Sequence, residues 1–129
     1  MINLGHNIND IVGEMKSLGN TFLSEVDKAV FEAAKEYMKD CIIEIDALIY
    51  SQPASPYYPK RTKFLRRSHH IRRLTQGVFL IFNDASYAEY QHDGWDGHAG
   101  RPWMQNPLDR NANKYRDIIA DKVGGGLFT

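Results

Sequence analysis

The sequence predicts an α+β domain: a long amino-terminal helix and a carboxy-terminal helix packed on a small antiparallel sheet built around a β-hairpin. Three observations predict it. An apolar stripe at three-and-four spacing runs unbroken from Phe22 to Ile49. Two β-prone segments, His70–Leu74 and Val78–Asn83, flank Thr75-Gln76-Gly77, a short connection with glycine where a positive φ is often needed. A second apolar stripe follows Asn106-Pro107, a good amino-terminal cap beside a proline suited to the first helical position. With 129 residues and 14.8 kDa, the chain has the size of one domain, spanning 1–129.

Taken in order, Ile8, Ile11, Val12, Met15 and Leu18 predict a short helix over 8–18, weakened by Gly13 and ended by Gly19-Asn20. Asn20 or Thr21 then caps a long helix over 20–49. Its apolar positions include Val26, Ala29, Val30, Ala33, Tyr37, Cys41, Ile45 and Ile49, with Glu25, Lys28, Glu32, Lys35, Glu36, Lys39 and Asp40 elsewhere on the helix. At about 1.5 Å per residue this rod is roughly 40 Å long, as long as a globule of this size is wide. One subunit is then too small to cover it. A break near Asp40–Ile43, with Ile42–Ile49 as a strand, is the alternative.

Residues 51–68 form a basic connector whose first half holds Pro53, Pro56 and Pro59, which exclude a helix or central strand there. The hairpin occupies 69–83. Its second strand is apolar on both faces, Val78, Leu80 and Phe82 against Phe79 and Ile81, so it needs cover on both. The segment 84–105, with Gly94, Gly97, Gly100, Trp95 and Trp103, reads as a long exposed loop, and loops of that length are usually functional. The last helix spans 106–123 with Leu108, Ala112, Tyr115, Ile119 and Val123 on one face. Gly124-Gly125-Gly126 stops it.

Charge is balanced overall and segregated along the chain. Residues 1–55 carry a net −5, residues 56–83 a net +7 with no acid, and residues 84–129 a net −2. The basic block (Lys60, Arg61, Lys63, Arg66, Arg67, Arg72, Arg73) is either a solvated surface or the seat of an anionic partner. Tyr57, Tyr58 and Phe64 beside it would allow stacking on single-stranded nucleic acid, although no helix-turn-helix, zinc finger or RNA-binding sheet pattern accompanies them. Whether the block faces DNA or protein stays open.

Chemistry is poorly represented. His92 and His98 flank Asp93 and Asp96, with His69-His70 upstream, but the spacing matches no helical ligand pair, so a metal-dependent nuclease is a minor alternative. The lone Cys41 lies on an apolar helix stripe and reads as packing in a reduced protein. No glycine-rich phosphate loop, apolar span of membrane length or secretory leader is seen. No enzyme, cofactor or metal is expected.

Three strings carry a resemblance. Pro59-Lys60-Arg61-Thr62-Lys63-Phe64-Leu65-Arg66-Arg67-Ser68 precedes the hairpin, and Tyr87-Ala88-Glu89-Tyr90 follows it. Arg101-Pro102-Trp103-Met104-Gln105-Asn106-Pro107-Leu108 leads into the last helix. Together with the order of elements over roughly residues 5–123, these resemble the small tail-completion, or head–tail joining, proteins of long-tailed phages and prophages. His92 stands where that family has an acid, Trp95 follows Gly94 in place of threonine, and Lys63 replaces a small residue.

The resemblance implies a structural protein of the virion neck, made in the bacterial host cytoplasm, whose copies form a ring that completes the tail and joins it to the head. Its implied partners are other copies of itself, the head connector or adaptor, the tail tube or tail terminator, and DNA in the channel, with no membrane. A ring needs two complementary surfaces per subunit. The acidic first segment against the basic connector would match neighbours electrostatically. Arg61, Lys63, Arg66 and Arg67, with Arg72 and Arg73 of the same block, are the candidate interface residues. Trp95 and Trp103 are candidate aromatic anchors, unless Trp103 simply packs under the last helix.

Overall fold

We analysed a computed structural model, which describes residues 8–51 and 64–128. The architecture is α+β. A helix, α1 (Ile8–Ile45), continues into a π-helical turn at Asp46–Tyr50. A short helix α2 (Phe64–Arg67) leads into the hairpin of β1 (His69–Thr75) and β2 (Val78–Asn83). Then come α3 (Ala88–Asp93), a miniature hairpin of β3 (Gly94–Trp95) and β4 (His98–Ala99), and α4 (Gln105–Phe128).

The two expected amino-terminal helices are one. Glycine costs only about 1 kcal/mol against alanine in a helix interior, and no proline interrupts this stretch. Thr21 does not cap a new helix. Its Oγ1 donates to the Ser17 carbonyl at 3.0 Å, the i−4 contact of a helix interior. Nor does Ile42–Ile49 form a strand, because the chain stays helical to Tyr50. At about 1.5 Å per residue α1 is roughly 57 Å long, well beyond the mid-30s Å expected for a globule of this mass.

α4 runs antiparallel along α1. Arg110 pairs with Glu44, Lys114 lies 3.0 Å from Asp40 and 3.2 Å from Glu36, and Lys122 sits beside Ala29 and Glu32. The Tyr37 and Tyr115 rings meet edge-on at 5.5 Å. The expected stop at Gly124–Gly126 does not occur, and α4 continues to Phe128. Asn106 is not the cap either. The helix already begins at Gln105, and the Asn106 amide points to Glu44 at 3.4 Å. Leu108, expected on the buried face, is exposed. Asn111, between Leu108 and Tyr115, has non-helical angles (φ −116°, ψ 15°) that kink the helix.

On another side of α1 lies the hairpin, in antiparallel register from His69↔Asn83 to Arg73↔Phe79, with an irregularity at Leu74. The turn is the two residues Gln76-Gly77, with Gly77 at φ +76°. Phe79 stacks on Phe31 of α1 at 5.3 Å. The predicted loop 84–105 instead holds α3 and a two-residue hairpin. Asp96 (φ 41°) and Gly97 (φ 83°) form its turn, the Asp-Gly signal of a tight hairpin. Gly100 closes it, since a Cβ there would lie 2.5 Å from the His92 carbonyl oxygen.

The core lies at the carboxy-terminal end of α1, where Cys41, Ile45 and Ile49 meet Leu65, Ala85, Ala88 and Trp103. Each large apolar side chain fully buried there contributes about 1.5–3 kcal/mol. Among the described residues the other end of α1 has no comparable cluster. Gly13 and every residue from Lys16 to Ser24 are exposed, so this amino-terminal part of α1 forms an arm.

Candidate interaction surfaces

The basic block is partly neutralised within the chain. The π-helical turn carries Asp46 towards α2, and the Arg66 Nε donates to its two carboxylate oxygens at 3.0 and 3.2 Å. Tyr50 of the same turn accepts the Arg66 backbone N–H at 3.1 Å. At the far end of the hairpin, Arg73 Nε lies 3.1 Å from Asp27, and the Gly77 N–H donates to that carboxylate at 2.7 Å. The Gly77 amide, helped by Arg73 and opposed by partial desolvation, holds the Asp27 carboxyl below its ordinary range. The attraction between the acidic first segment and the basic connector is therefore used, at Arg66 and Arg73, to fasten the hairpin to α1.

The other interface candidates part company. Arg61 and Lys63 lie outside the described residues. Arg67 and Arg72 are exposed. Arg72 sits on the hairpin face turned away from α1, its guanidinium carbon 5.8 Å from the Phe82 ring. His70 shares that face, its ring 5.3 Å from Phe82 and its Nε2 3.1 Å from Asp84.

Trp103 is no exposed anchor. Only 1% of it is accessible, and its Nε1–H donates to His69 Nε2 at 2.8 Å. His69 in turn donates from Nδ1 to the Arg66 carbonyl at 2.8 Å, so the imidazole is neutral with its tautomer fixed. Burial pushes its pKa down. Trp95 is half-buried, its ring edge-on to Tyr90 at 6.4 Å.

His92 Nδ1 pairs with Asp93 at 2.6 Å, and its Nε2 accepts the Gln105 N–H at 3.3 Å. Among the described residues no group of three or more His, Cys, Asp or Glu is placed to hold a metal ion. A shallow recess of about 300 Å³ beside His92 is lined by Phe82, Ala88, Trp103 and Met104. Asn83, Glu89 and the His92–Asp93 pair also line it. Desolvation pushes the Cys41 thiol up to about 11, which leaves it an inert packing group. Among the described residues no helix is long and apolar enough to cross a membrane.

Among the described residues, two groups of exposed apolar side chains lie away from the core. One is the arm, where Leu18 is 68% exposed and Phe22 44%. The other is the outer face of the hairpin, where Val78 and Leu80 are 46% and 38% exposed, with Leu74 at the bulge beside them. Sequence patterning shows both as apolar. Their lack of cover depends on where α1 stops being flanked by α4, which patterning does not give. No family model, curated protein or solved structure matches this chain.

Proposed function

We propose that this chain is a structural protein of a phage virion neck, one subunit of a ring that completes the tail and joins it to the head connector. The observation that carries the reading is that each copy has two separate uncovered apolar surfaces at the end away from its core: the helical arm and the outer hairpin face. A chain with two unlike surfaces of this kind is suited to closed head-to-tail assembly. The three strings that resemble tail-completion proteins give the assembly its place.

Arg66 belongs to the fastening of the hairpin, so Arg66→Glu would set two carboxylates against each other and test folding, not joining. Arg72→Glu, on the outer face, is the cleaner interface variant. The direct experiment is electron microscopy of particles made without the protein. Filled heads and finished tails that fail to unite are expected. Normal virions would remove the reading.

A further inference from the structure

The arm and the outer hairpin face are matched in length. Residues 8–23 of α1 span about 24 Å at 1.5 Å per residue. The strands of the hairpin, at about 3.3 Å per residue, span 20–23 Å. The hairpin already receives a helix on its other face, where Phe31 of α1 stacks on Phe79. Because α1 is continuous from Ile8 to Ile45, the arm cannot fold back onto its own hairpin. An arm that covers the outer face in this way is then that of another copy.

Charge plays little part: beside Phe82 the outer face presents the Arg72 guanidinium, and the His70 ring faces Asp84 at 3.1 Å. We infer that the amino-terminal arm of one copy lies on the outer face of the β1–β2 hairpin of the next copy, a head-to-tail contact between identical chains. The inference rests on the ring reading above and names the surfaces that would build it.

A helix of this length on a two-stranded ribbon buries on the order of 1,000 Å² in total, the lower limit of a specific contact. One such contact is weak. A ring gives every subunit two of them, so closure supplies the stability that a single pair lacks.

The two surfaces can be tested separately because both lie away from the core. In the arm variant, Leu18→Asp with Phe22→Asp, the apolar stripe is lost at exposed positions. In the sheet variant, Leu80→Glu, a carboxylate stands opposite Arg72, its cross-strand partner. That spares the sheet while placing a charge within the apolar contact. The readout is sedimentation velocity of the full chain, with circular dichroism confirming that helix content is unchanged.

The wild-type chain is expected to self-associate with rising concentration and each variant to stay monomeric. An equimolar mixture of the two variants should form dimers and nothing larger, since it retains one intact arm and one intact hairpin face. Continued association of the sheet variant alone would show the arm pairing with another arm, and would overturn the inference. So would a mixture that stays monomeric, or a wild-type chain that is monomeric at millimolar concentration. None of these results touches the neck assignment, which particle morphology decides. Conversely, normal virions without the protein would leave the association result standing.

Discussion

At the residue scale, the His69–Trp103 pair has a pH signature. Trp103 donates into His69 Nε2, so an added proton there would face an N–H, and burial also disfavours the charge. The unfolded chain takes that proton near pH 6.5 while the folded chain resists it. Stability from this site is therefore complete above about pH 6.5 and is lost as pH falls below it, because the unfolded state then binds more protons. Urea midpoints should hold steady from pH 8 to 7 and decline towards pH 5.5. Trp103→Phe removes the donor, should cost about 1–3 kcal/mol at pH 8, and should flatten that decline. An unchanged slope in the variant would show that the imidazole is not the group responsible.

At the scale of elements, the continuity of α1 across Gly13 and Gly19 separates local from global stability. A Cβ at Gly19 would meet nothing within 4 Å, so Gly19→Ala changes only helix propensity. The gain of about 1 kcal/mol should slow amide exchange in residues 19–23 roughly fivefold. The urea midpoint should not move, because the core lies at the other end of the helix. Equal exchange in both proteins would show that the arm opens by some route other than local fraying.

The same helix shows what a sequence does and does not disclose about its fold. Stripes such as Ala29, Ala33, Tyr37, Cys41 and Ile45 are visible because burial imposes a 3.6-residue period. The Gly19-Asn20 pair looked like a terminator because breaker residues are local signals, whereas helix continuity is cooperative. Asp96-Gly97 is a readable turn inside a segment whose length and glycine content suggest a loop. The kink at Asn111 and the choice of Asp46 and Asp27 as partners for Arg66 and Arg73 were not readable. They depend on which side chains the fold brings together across 20 and 46 positions.

For the whole molecule, stability and association draw on different forces. The α1–α4 seam is rich in ion pairs, and its Glu44 carboxyl is held below its ordinary range chiefly by Arg110. The proposed contact between copies is mainly apolar. At 1 M salt the Debye length shrinks to about 3 Å, which screens exposed charge pairs and spares apolar burial. Sedimentation profiles of the wild-type chain should therefore be nearly the same at 0.15 and 1 M NaCl. Dissolution of the oligomer by salt would assign the contact to the arginines instead.

The two fastenings of the hairpin also act as a ruler. Asp27 and Asp46 stand about 28 Å apart along the helix axis, and Arg73 with Gly77 at one end and Arg66 at the other must meet them together. Tight turns elsewhere absorb an extra pair of residues with little penalty. Here a strand lengthened by two would overshoot one carboxylate whenever it reached the other. Descendants of this chain are thus free to vary the chemistry of the hairpin's outer side, but scarcely its span.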